Sequence, residues 1–91
     1  MSYNIKETKI ALSDHKKLRS KSSAVKNKAI EILKIIQSDP YSTLYGGEDL
    51  KHEDAGFRSF ELTKKDRIVI KILEEENAVH IFQYLGHYTD K

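Results

Sequence analysis

The stretch "FRSFELTKKDRIVIKILEEENAVHIFQYLG", residues 57–86, decides the fold. It contains three runs, "FRSFELT", "DRIVIKILE" and "NAVHIFQYLG", in which β-branched and aromatic residues dominate and apolar positions recur at spacing two. That spacing belongs to strands with one face on a core. Lys64-Lys65 and Glu75-Glu76-Asn77 separate the runs as polar turns. Three strands joined in sequence by short turns predict an antiparallel meander.

A sheet of this kind needs a partner layer, and residues 22–40 supply it. Ser22 or Ser23 can cap a helix whose Val25, Ala29, Ile32, Leu33 and Ile36 fall at i, i+4, i+7, i+8 and i+11. Asp39-Pro40 ends it. Upstream, "LSDHKKLRS" predicts a shorter helix, with Ser13 or Asp14 as N-cap and Ala11, His15 and Leu18 at helical offsets. His15 falls near its core-facing stripe, as a packing or capping residue. "SYNIKETKI" reads as a first strand through Tyr3 and Ile5. The expected fold class is α+β: two N-terminal helices packed on a small antiparallel β-sheet, one domain over residues 1–91.

Composition narrows the chemistry. The chain has no cysteine, which excludes a disulfide scaffold, thiol catalysis and thiolate metal sites. His80 and His87, seven apart on a strand, would face opposite sides and make a poor metal pair. No apolar run approaches the roughly 20 residues a bilayer span requires, and "MSYNIKETKI" is too polar for a secretory signal, so a cytoplasmic protein is expected. The net charge of +2 is unevenly spread: residues 1–40 carry nine Lys/Arg against four Asp/Glu, and residues 41–91 seven against ten. Lys16, Lys17, Arg19, Lys21, Lys26 and Lys28 follow one another without an acid among them. Such a run either meets phosphates or forms a solvated helical face.

Between helix and meander lies "PYSTLYGGEDLKHEDAG", residues 40–56, a loop rich in glycine and acids. Loops of this length in small domains are often functional. Gly46-Gly47 is a turn and not a phosphate loop, since no Lys-Ser/Thr follows at the required spacing.

Taken together, "GGEDLKH", "GF", "DRIVI" and "GHY", in that order over residues 46–88, resemble the Txe/YoeB group of bacterial type II toxin-antitoxin ribonucleases, within the RelE/ParE superfamily. Residues 1–40 match only in layout. The resemblance implies a microbial ribonuclease-like fold, a ribosome-dependent endoribonuclease (mRNA interferase) that inhibits translation by cutting messenger RNA in the decoding site, and neutralisation by a cognate antitoxin. A homodimer is one of the states known among such relatives.

The resemblance assigns roles to four positions. Glu48 stands where the family has its general base, Arg67 where it has the arginine facing the scissile phosphate, and His87 and Tyr88 on its catalytic histidine and neighbouring tyrosine. The chain departs from close relatives at Phe60 and Glu61, where they carry a basic pair. Arg58 and Lys51 are the candidates to replace that charge on the RNA backbone, with Lys16, Lys17 and Arg19 as further RNA contacts on the ribosome.

The set is chemically coherent. Cutting RNA needs a base for the 2′-hydroxyl, a cation for the phosphoryl oxygens and an acid for the departing 5′-oxygen. Glu48, Arg67 and His87 meet those needs with no metal ion or other cofactor, and Tyr88 can stack on a base. Each residue also has a plainer reading. Glu48 is then an exposed loop carboxylate, Arg67 a partner for Asp66, and His87 and Tyr88 surface residues; His52 is structural or neutral. Two other functions share this fold: a ParE-like gyrase poison, which lacks the acid-base set, and a noncatalytic RNA- or protein-binding module.

Overall fold

The computed structural model describes residues 2–50 and 56–86. Its elements run β1 (Asn4–Glu7), α1 (Lys9–Leu18), α2 (Ser23–Ser38), β2 (Glu48–Asp49), β3 (Phe57–Glu61), β4 (Arg67–Leu73) and β5 (Ala78–Gln83), with single 3₁₀ turns at Leu44–Gly46 and Glu74–Glu76. The strands form one sheet in the order β1-β5-β4-β3-β2. Consecutive strands from β2 to β5 pair antiparallel; β3 to β5 form the predicted meander, and the two-residue β2 is an addition within the segment expected to be a loop. The sheet as a whole is mixed, because β1 lies parallel to β5, with Asn4 opposite Ala78 and Glu7 opposite Ile81. A strand therefore precedes the two helices, and the expectation of a purely antiparallel sheet is corrected. A four-residue edge strand carries too little pattern to reveal its partner or its direction.

Each helix begins where a hydroxyl can take an orphan amide. Ser22 caps α2 by accepting from the Val25 N–H, and Asp39 closes it with its own N–H on the Ile35 carbonyl. For α1 the cap is Thr8, whose Oγ1 accepts from the Ala11 N–H at 3.2 Å. Ser13 and Asp14, the expected caps, sit inside this helix.

The core lies between the helices and one face of the sheet. Ala11, Leu18, Ala29, Ile32 and Ile36 meet Phe60, Leu62, Ile68, Ile70, Val79, Ile81 and Tyr84 there. Val25 and Leu33 of the predicted α2 stripe pack at its margin, partly buried. Burying each large side chain of this set contributes about 1.5–3 kcal/mol. Strand alternation fixes the other face. Phe60 pairs with Ile68 on the helix side, so Ser59, Glu61, Arg67 and Val69 point away from the helices. Glu48, directly opposite Ser59, points the same way.

The turns keep this register. Between β3 and β4, Thr63 Oγ1 donates to Asp66 Oδ2 at 2.9 Å while accepting from the Asp66 N–H. Between β4 and β5, Asn77 takes a left-handed conformation at φ 51°, which asparagine tolerates better than most residues. No helix among the described residues is long and apolar enough to cross a membrane.

Candidate functional site

Arg67 is the first residue of β4 and pairs with Glu61 at the end of β3. Its Nη2 lies 4.0 Å from Glu61 Oε1, and its Nη1 lies 3.9 Å from Glu48 Oε2 on β2. Both contacts are ion pairs beyond hydrogen-bond length. The Glu48 side chain is 63 % exposed and that of Arg67 33 %, so solvent or a ligand can reach both. Three strands thus bring a carboxylate, a guanidinium and a second carboxylate to one end of the sheet.

The loop that presents Glu48 is shaped by close approach. A Cβ on Gly47 would lie 2.2 Å from the Ser42 carbonyl oxygen and 2.7 Å from the Phe60 ring, so only glycine fits. Gly46, at φ +66°, makes the bend before it. Phe60, fully buried, forms the floor. A basic residue at position 60 would enter the core, which is why this position carries no charge toward a ligand.

Arg58 lies on the helix-facing side of β3, only 6 % exposed. Its Nε donates to Asp49 Oδ1 at 2.8 Å, and its Nη1 donates to the carbonyls of Pro40 at 2.6 Å and Ser42 at 2.9 Å. Its guanidinium also rests over the Phe60 ring, 5.4 Å from the centroid. The expectation of an RNA contact at Arg58 is therefore replaced by a buried clasp that ties residues 40–49 to β3. This role is not legible in the sequence, because an arginine one residue after a strand's start looks the same in either role.

The chain leading to His87 is held from three sides. Asp14, 8 % exposed, accepts through Oδ2 from the backbone N–H groups of Tyr84 at 3.0 Å and Leu85 at 3.2 Å. Asp66 Oδ1 accepts from the Gly86 N–H at 2.8 Å. The Gly86 carbonyl accepts from the Arg67 N–H at 3.0 Å and from Gln83 Nε2 at 3.1 Å. Gly86 is thus fastened to Arg67, one residue before the histidine singled out from the sequence. His87, Tyr88, Lys51 and His52 lie outside the described residues.

Below this clamp, the Tyr84 hydroxyl donates to Glu7 Oε2. Burial first, and then this bond to a carboxylate, push the Tyr84 hydroxyl well above the usual range for tyrosine. His15 shares the same carboxylate, with Nδ1 3.0 Å from Glu7 Oε2, and meets the Tyr84 ring edge-on at 5.6 Å. It is an exposed partner of the β1 edge and not a core residue. Asp14 and Glu61 were legible in principle. Asp14 sits three residues after Ala11 and four before Leu18, on the core stripe, and Glu61 and Arg67 flank one turn.

Lys16, Lys17 and Arg19 are exposed at the end of α1, in the helical layer and not on the sheet face that carries Glu48 and Arg67. Lys16 and Lys17 complement the negative end of the helix dipole.

No protein-family model matches the sequence, and no curated protein matches it. Solved structures do. A YoeB/ParE toxin from Agrobacterium tumefaciens is 20 % identical and superposes with a TM-score of 0.85 over 93 % of this chain and 99 % of its own. The YoeB dimer from Staphylococcus aureus is 24 % identical, with a TM-score of 0.82 over 97 % of this chain and all of its own. The heterotetrameric YoeB-YefM toxin-antitoxin complex from the same organism gives 24 % identity and a TM-score of 0.79 over the same shares. At such identities the shared property is the architecture: this chain has the fold of the YoeB-type toxins of the RelE/ParE superfamily, the group its C-terminal motifs resemble.

Proposed function

We propose that this protein is the toxin of a type II toxin-antitoxin pair and acts in the cytoplasm as a ribosome-dependent endoribonuclease on messenger RNA. The observation that carries the reading is the meeting of Glu48 and Arg67 on one sheet face, 3.9 Å apart, with Gly86 bonded to the Arg67 backbone and His87 next in the chain. In the proposed reaction Glu48 takes the proton of a 2′-hydroxyl, and that oxygen attacks the adjoining phosphorus. Arg67 neutralises charge on the phosphoryl oxygens. The bond to the 5′-oxygen breaks, and His87 supplies its proton. The products are a 2′,3′-cyclic phosphate and a 5′-hydroxyl. Tyr88 stacks on a neighbouring base, Lys51 adds a phosphate contact, and Lys16, Lys17 and Arg19 dock on ribosomal RNA. The partners are the ribosome with its message, a cognate antitoxin and, in the resting state, a second copy of the toxin.

One observation favours a second reading. Glu61 stands on β3, between the strands that carry Arg67 and Glu48, so two carboxylates face one guanidinium. A site with that balance suits a phosphate less well than one with an added base, as a gyrase poison or a noncatalytic module of this fold would have it. Induced expression separates the two. Growth arrest with new RNA 5′ ends clustered in the decoding site, both lost in Glu48→Ala and His87→Ala, supports the nuclease; arrest without new ends supports the alternative.

A further inference from the structure

Ser59 carries a polar atom that the described residues leave unsatisfied. The residue is completely buried in the middle of β3, and its Oγ has no hydrogen-bond partner among the described residues. A buried hydroxyl without a partner is destabilising, and alanine or valine would serve this strand position better if packing alone mattered. Its place explains the hydroxyl. Ser59 pairs directly with Glu48 across the β2–β3 ladder and with Val69 across β3–β4. Its side chain therefore shares a face with Glu48, Glu61 and Arg67.

Glu48 has the complementary need. Its carboxylate leans on Arg67 at 3.9 Å, and a phosphate bound to Arg67 would displace it by like-charge repulsion. The displaced carboxylate then requires a donor on its own face, and the cross-strand neighbour there is the unpartnered Ser59 hydroxyl. We propose that Ser59 is a positioning residue for Glu48, donating its hydroxyl to the Glu48 carboxylate once bound RNA takes over Arg67. The inference rests on the nuclease reading, and within it gives the base a fixed orientation toward the 2′-hydroxyl.

The test is Ser59→Ala in the full chain, compared with wild type and Glu48→Ala in single-turnover cleavage of ribosome-bound message and in thermal unfolding. Ser59→Ala is expected to raise the unfolding midpoint by about 5 °C, because it removes an unsatisfied polar group. Its cleavage rate is expected to fall about tenfold or more at unchanged half-saturation. A variant that cleaves like wild type overturns the inference while an inactive Glu48→Ala leaves the nuclease reading standing. A variant that loses stability and activity together makes Ser59 a packing residue and also overturns it. Full activity in Glu48→Ala overturns both.

Discussion

Glu61 holds a carboxylate oxygen 4.0 Å from Nη2 of Arg67, so the arginine assigned to the phosphate already has an anionic neighbour on the next strand. The neighbour competes with any phosphate for that guanidinium, and the competition is accessible to salt because both side chains are partly exposed. Glu61→Gln is therefore expected to tighten binding of single-stranded RNA about three- to tenfold at low ionic strength, with the gain fading as salt is added. Affinity titrations at two salt concentrations check this.

Arg58 is a clasp for the loop that carries Glu48. Removing it leaves the carbonyls of Pro40 and Ser42 without their donor in a buried setting. Arg58→Ala is expected to cost about 2 kcal/mol or more, a drop of roughly 8 °C or more in the unfolding midpoint of a domain this size. Arg58→Lys keeps the charge but not the planar fork, and it recovers only part of the loss. Calorimetry on the two variants measures both effects.

Gly47 has no room for a methyl group, with the Ser42 carbonyl oxygen 2.2 Å from its would-be Cβ and the Phe60 ring behind it. Gly47→Ala therefore displaces the segment just ahead of Glu48. The expected result is a destabilisation above about 2 kcal/mol, together with loss of any activity that depends on Glu48. Denaturant unfolding, read beside cleavage, checks the pair of effects.

Tyr84 ties alkaline stability to the β1 edge. Its hydroxyl ionises less readily in the folded chain than in the unfolded one, through burial and then the bond to Glu7. The raised pKa means that its contribution is whole below about pH 10 and is lost as pH rises above it. Tyr84→Phe is expected to be less stable by about 1.5–3 kcal/mol at neutral pH, the value of a hydrogen bond to a charged group. The gap to wild type narrows above pH 10. Urea unfolding at neutral and alkaline pH measures that gap.

The meander, the α2 stripe and the Ser22 cap were legible because each is written in local periodicity or in a single capping hydroxyl. The parallel pairing of β1 with β5 was not, since it joins residues more than seventy positions apart through a four-residue edge. Thr8 took the cap expected of Ser13 or Asp14 because the helix starts right after the edge strand. Asp14 was thereby freed to hold the N–H groups of Tyr84 and Leu85. At the site, Glu48 and Arg67, singled out by the motifs, approach each other on one sheet face. Of the two neighbours that shape it, Arg58 was not legible, because burial decides its role, while Glu61 was legible only through the strand register that sets it against Arg67 across one turn.

The most direct measurement is cleavage of an end-labelled message on purified ribosomes by wild type, Glu48→Gln and His87→Gln, with the chemistry of the new ends determined. The expected result is cuts in the decoding site that leave 2′,3′-cyclic phosphate and 5′-hydroxyl ends, slowed about a hundredfold or more in each variant. Intact message with wild type, or equal cutting by all three proteins, would contradict it.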